Sequence, residues 1–132
     1  MFRFKLNIEA AIKKAMSDRK QKYTWILDPG HGGMIDGEYQ TAGKRSPEFE
    51  FGQYFEGVGN REIVKKIIKQ CRALGISAID IVDSEEDVSL KERVRRANEL
   101  HKQKKNCIYV SMHSDGFDDP RAHGYSIYTS VG

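Results

Sequence analysis

No apolar run in this chain approaches the roughly 20 residues that a membrane-spanning helix needs. Arg3, Lys5, Glu9, Lys13 and Lys14 interrupt the first residues, so no signal-peptide centre is expected, and the chain is expected to be cytoplasmic as synthesised. Cysteine is scarce. Cys71 and Cys107 form no CxxC pair, which sets aside zinc-finger spacing, and both read as small buried hydrophobes of a reducing compartment. An aromatic RNA-binding strand motif is missing, which argues against nucleic acid as a partner. The Gly30, Gly32 and Gly33 cluster is not followed by GxxxxGK(S/T), so turn geometry is expected of it rather than a phosphate cradle. Ser111 and Ser114 flank a histidine without a GxSxG elbow, which argues against a serine hydrolase.

What is present suits one globular domain. The 132 residues are 39% hydrophobic and 31% charged, enough to bury a core. The net charge of +3 is mild, and its basic clusters (Lys13 to Lys22 and residues 91–105) read as solvated helix faces.

Residues 7–20 put Ile8, Ala11, Ile12, Ala15 and Met16 on one helical face, with Asn7 as a candidate N-cap. Residues 1–22 are therefore read as an amphipathic arm preceding a domain at 23–132. Residues 24–27 make a first strand. Residues 34–55 lack periodicity but carry Tyr39, Phe49, Phe51, Tyr54 and Phe55, a long loop of the kind that often serves function. Over residues 61–74, Ile63, Val64, Ile67, Ile68, Cys71 and Leu74 form an apolar stripe that Gly75 ends. Residues 76–82 give a second strand. Ser89-Leu-Lys-Glu92 is a capping box, and Leu90, Val94, Ala97 and His101 continue it as an amphipathic helix. Residues 107–112 are a third strand, and residues 123–130, with Tyr125, Ile127 and Tyr128, a fourth. Strands separated by helices predict an α/β single domain: a mostly parallel sheet with helices on its faces.

The first strand empties into Asp28-Pro-Gly-His-Gly-Gly33 and the third into Ser111-Met-His-Ser-Asp115. His31 and His113 thus leave the carboxyl ends of two strands, where open α/β sheets bind their ligands. Two such imidazoles begin a zinc site, and catalytic zinc usually takes a third protein ligand and keeps one open position. Glu56, between Tyr54-Phe and Gly57-Val-Gly59, is the best-placed third donor, because the glycines allow a tight turn at the helix entrance. Glu62 is its rival, better suited to complementing the helix dipole. Glu48 and Glu50 lie further back in the loop.

Leu27-Asp-Pro-Gly-His-Gly-Gly33, the 56–60 turn, Ser89-Leu-Lys-Glu-Arg-Val-Arg-Arg-Ala-Asn98 and Tyr109-Val-Ser-Met-His-Ser-Asp115 occur in that order. Together they resemble the zinc-dependent N-acetylmuramoyl-L-alanine amidases of the Amidase_3 type over residues 23–132. Gly124-Tyr-Ser-Ile-Tyr128 is similar to that family's next strand. The resemblance implies an amidase and zinc-carboxypeptidase-like fold, with Zn2+ held by His31, Glu56 and His113. It implies zinc-activated water cleaving the amide between N-acetylmuramic acid and L-alanine, with peptidoglycan or muropeptides as the partner. With no export signal expected, the setting read for the chain is a phage-type lysin that reaches the cell wall after release.

One departure stands out. Family members carry a glutamate on a later strand as catalytic base, and no residue here matches it, since no carboxylate follows Asp119. No catalytic residue is therefore assigned, and the domain is expected to be C-terminally incomplete. A general base contributes about 10²–10⁴-fold, so metal affinity is expected to outlast turnover in its absence. The alternatives are another zinc amide hydrolase, carboxypeptidase-like, or a non-catalytic cell-wall-binding module.

Asp28, Ser111, Ser114 and Asp115 are candidate acceptors for the histidines' other ring N–H, with an Asx turn as the second role of Asp28. His101 reads as a partly buried structural imidazole and His123 as a candidate substrate contact. Arg93 and Asn98 read as support for packing and polar contacts. The loop aromatics either stack on sugar rings or cover the core.

Overall fold

The computed structural model describes residues 22–116, 119 and 121–129. The expected amphipathic helix over residues 7–20 lies outside the described residues. The elements in order are β1 (Thr24–Pro29), β2 (Met34–Ile35), β3 (Glu38–Tyr39), α1 (Glu56–Ala73), β4 (Ala78–Asp80), α2 (Leu90–Lys104) and β5 (Cys107–Met112). The fold is mixed α/β, as expected, with a three-stranded parallel sheet in the order β4-β1-β5 and both helices packed on it.

β1 is the centre of the sheet and its most buried strand. Ile26 and Leu27 point to opposite faces, and both are buried, so β1 is covered on each side. Ile26 joins Ile81, Val82 and Val88 in the core, with Ala97, Leu100 and Cys107 packed against them. The chain leaves β1 for β4 on one side through α1, then crosses through α2 to β5 on the other. That reversal opens a crevice between the carboxyl ends of β1 and β5, and the two candidate histidines leave the sheet there.

β1 runs two residues further than its apolar stretch, through Asp28 and Pro29, which pair with Ser111 and Met112. The extension has a chemical cause. The buried Asp28 carboxylate accepts from Arg93 of α2, from the Tyr109 hydroxyl and from the Ser111 hydroxyl, the last at 3.3 Å. Burial and the neighbouring carboxylate push the Tyr109 hydroxyl well above the usual tyrosine pKa. Asp28 therefore belongs to this strand-to-helix network and makes no bond to either histidine, and Ser111 is committed to Asp28. The burial of Arg93 also turns α2. Leu90, Val94 and His101, expected on its inner face, are exposed, while Arg93, Ala97 and Leu100 face the sheet.

Other expectations are corrected. α1 begins at Glu56, five residues before the expected start at residue 61. Of the apolar stripe Val64 is fully buried, whereas Ile63 and Leu74 are exposed. Gly75 does end the helix, at φ 69°. Only half of the capping box forms: the Ser89 hydroxyl accepts from the Glu92 N–H at 3.3 Å, while the Glu92 carboxylate turns to Arg95 and Arg96. The expected fourth strand is not formed among the described residues 123–129. Tyr125, Ile127 and Tyr128 are exposed there, because alternation makes a strand only where a neighbouring edge accepts it.

Arg93→Met would leave Asp28 charged, buried and short of its partner, and is expected to cost about 3–5 kcal/mol in urea unfolding. Asp28→Asn in the same chain should restore part of that loss. Equal instability of the single and double variants would show that the ion pair is not what Asp28 needs.

Candidate metal centre

His31 is the point from which the centre is built. In the turn after β1 the left-handed backbone falls on His31, at φ 67°, and not on Gly30, Gly32 or Gly33. A non-glycine residue holds that conformation at a cost, so something must over-determine it. Two buried guanidinium groups do so. Arg61 of α1 and Arg93 of α2 both donate to the His31 carbonyl, at 2.8 and 3.1 Å. Arg61 also donates to the carbonyls of Gly57, Ser84 and Glu86, and Arg93 to those of Pro29 and Val88. The two helices thus clamp one peptide group and aim one imidazole.

The glycines serve close approach rather than turning. A Cβ at Gly30 would sit 2.3 Å from the His113 ring, which packs directly over that backbone. A Cβ at Gly57 would sit 1.8 Å from the Gly32 carbonyl oxygen, so the first turn of α1 can touch the β1 loop only with glycine there. Gly57 and Gly59 are helical, which corrects the expected tight turn.

This approach places Glu56. Its backbone N–H donates to the Lys44 carbonyl at 3.0 Å, and the next N–H, of Gly57, to the Tyr39 hydroxyl at 2.9 Å. The helix start is satisfied by the preceding loop, with no side-chain cap at Phe55. A carboxylate in this first turn complements the helix dipole, the role expected of Glu62. Glu62 is instead exposed one turn later and faces Lys66 at 3.8 Å. Glu48 and Glu50 are exposed in the loop.

Glu56 Oε1 lies 3.3 Å from His31 Nε2 and 3.1 Å from His113 Nδ1, and the two imidazoles meet edge to face with centroids 4.8 Å apart. One ligand atom from each residue falls within 4.8 Å of the others. Donor atoms around a tetrahedral zinc at about 2.0–2.2 Å are spaced by about 3.3–3.6 Å, so the two carboxylate–imidazole spacings are near what such an ion needs, and the three donors together close to within 4.8 Å. The Ser114 N–H donates to Glu56 Oε1 at 3.0 Å and anchors the carboxylate from the β5 side. Burial works against the charged Glu56, yet the Ser114 amide and the two imidazoles outweigh it and hold its pKa below the usual glutamate value. Burial is also the largest influence on His31. Together with the fields of His113 and Lys44 it lowers the imidazole pKa, against Glu56 and Asp87. The neutral form that ligates metals is thereby favoured.

Behind these three, Asn60 is fully buried, donating to the Gly30 carbonyl at 3.3 Å and accepting from the Ser114 hydroxyl at 3.3 Å. Tyr54 meets the same hydroxyl at 3.0 Å. Of the four expected supports, Ser114 alone touches the centre, and it does so through the carboxylate. His101 and His123 are exposed, and His123 meets the Arg121 carbonyl. The loop aromatics divide by role: Tyr39 packs on Phe55 and ties the helix start, Tyr54 lines the cleft, and Phe49 stacks on Phe51 in the open. Residues 34–39 hold a hairpin that periodicity does not reveal. Its signal is Asp36-Gly37, both at positive φ, the pair that a two-residue hairpin turn requires.

A cleft of about 790 Å³ opens over His31, Glu56 and His113, with Lys44, Arg45, Tyr54 and Asp115 among its walls. The sequence profile of the N-acetylmuramoyl-L-alanine amidase family, Amidase_3, matches residues 26–131. The chain belongs to this amidase family. Two solved structures are similar to it. One is the catalytic domain of CwlV, an N-acetylmuramoyl-L-alanine amidase from Bacillus (Paenibacillus) polymyxa var. colistinus, at 17% identity and TM-score 0.49 over 76% of this chain and 49% of that one. The other is the apo form of the N-acetylmuramyl-L-alanine amidase Ami1 from Mycobacterium abscessus, at 22% identity and TM-score 0.47 over 72% and 49%. This chain spans about half the length of those amidase structures. Among curated proteins none matches.

Gly30→Ala is expected to push the His113 ring outward and weaken zinc binding by about tenfold or more, with little change in thermal midpoint, since the partly exposed ring can swing into the cleft. Zinc titration beside a melting curve checks it. Unchanged affinity would mean that the ring does not need its seat on Gly30.

Proposed function

We propose that this chain is a zinc-dependent peptidoglycan amidase domain that cleaves the amide between N-acetylmuramic acid and L-alanine, acting on the wall after release from its cell of origin. The observation that carries the reading is the convergence of His31, Glu56 and His113 in one cleft of a chain that belongs to the amidase family. Two imidazoles and a carboxylate are a donor set known from catalytic zinc, and zinc bound there would supply an activated water and a Lewis acid for the amide carbonyl.

The chain's own residues have definable parts. The buried guanidinium clamp orients His31, the Ser114 amide holds Glu56 ionised, and Tyr54 and Ser114 line the wall where a substrate would lie. No described carboxylate beyond Glu56 reaches the imidazoles, so a proton-handling group for the leaving amine is not assigned. Asp115, which lines the cleft, makes no bond to the centre.

His31→Ala and His113→Ala are each expected to abolish tight zinc binding in equilibrium dialysis. Glu56→Gln should weaken it far more than Glu62→Gln, and the reverse order would move the ligand role to Glu62. On muropeptides the zinc-loaded protein should release free stem peptide, and a chelator should stop it. Release of terminal residues alone would point to a carboxypeptidase-like enzyme, and retention on peptidoglycan without any cleavage to a binding module.

A further inference from the structure

On the reading that this cleft is a muropeptide site, we propose that Lys44 and Arg45 form a subsite for a free carboxylate of the stem peptide, beside the metal centre. Both line the same cleft as His31, Glu56 and His113. Both are exposed, and neither side chain has an ion pair or hydrogen bond to another described residue. Arg61, Arg93, Arg95, Arg96 and Arg121, by contrast, each hold a carboxylate or a carbonyl. Cations left free in a concave wall are available to a ligand, whereas paired ones are already spoken for.

Their position is fixed by backbone rather than left to a loose loop. The Lys44 carbonyl accepts from the Glu56 N–H at 3.0 Å and from the Tyr39 hydroxyl at 2.9 Å, and the Lys44 N–H donates to the Thr41 carbonyl at 2.9 Å. Arg45 bridges to Phe55, the residue before Glu56. The two cations are therefore carried on the same hydrogen-bonded segment that sets Glu56 in place. The carboxylates of the cleft are Glu56, which is engaged by both imidazoles, and Asp115, and neither of them pairs with Lys44 or Arg45. A guanidinium can grip a carboxylate through two parallel hydrogen bonds, and an ammonium adds a point charge beside it. A peptide whose amide lies over the metal centre and whose following residue is acidic would match this pattern of charge.

The test uses the full zinc-loaded chain and isothermal titration with two probes, N-acetylmuramoyl-L-alanyl-D-glutamate and its carboxyl-amidated counterpart. The acidic probe should bind roughly tenfold more tightly, as two exposed ion pairs allow, and the preference should shrink as salt rises. Lys44→Gln with Arg45→Gln should erase that preference, leaving the affinity for the amidated probe within about twofold and zinc stoichiometry unchanged. Equal binding of both probes by the unaltered chain, or a preference that survives the double substitution, would overturn the subsite alone. Binding of zinc but of neither probe would bring down the amidase reading as well.

Discussion

A single peptide carbonyl, that of His31, holds this structure's candidate centre together. It accepts from two buried guanidinium groups that reach it from different helices. Each arginine would be expensive to bury alone, and each is tolerated because carbonyl oxygens, and Asp28 for Arg93, satisfy its donors. The carbonyl gains from the same bargain: two charged donors fix a backbone conformation that histidine seldom adopts. Sheet, helices and imidazole are thus tied by one polar junction rather than by apolar packing alone.

That junction explains why the apolar core is small and offset. Ile26, Ile81, Val82 and Val88 fill the space toward α2, whereas the inner side of the first half of α1 is largely polar, with Glu56, Asn60 and Arg61 buried ahead of Val64. A helix that turns carboxylate, amide and guanidinium inward at its start is shaped for a site before it is shaped for a core. Glycine at position 57 lets this polar end come close to the loop after β1.

Much of this was legible in the chain, and the misses have physical reasons. The three strands of the parallel sheet and both helices follow from apolar runs and periodicity, which report burial directly. His31 and His113 were marked by strands that end abruptly, and Glu56 by its place at a helix entrance. Periodicity failed where polar groups are buried. It began α1 too late because Glu56, Gly57, Asn60 and Arg61 carry no apolar signal, and it turned α2 the wrong way because Arg93, and not Leu90 or Val94, faces the sheet. Residues 123–129 show the converse error. Tyr125 and Ile127 alternate like a strand, but pairing depends on a neighbour that local sequence does not describe.

The wide spacing of His31, Glu56 and His113 along the chain has a thermodynamic corollary. An ion gripping all three would act as a reversible cross-link, closing two long loops and stripping the unfolded ensemble of much of its freedom. Because Glu56 opens α1 and His113 follows β5, that staple would fasten α1 to β5. Metal-free and metal-loaded protein should then differ in how readily a protease finds an opened molecule, with loading acting on the whole domain at once.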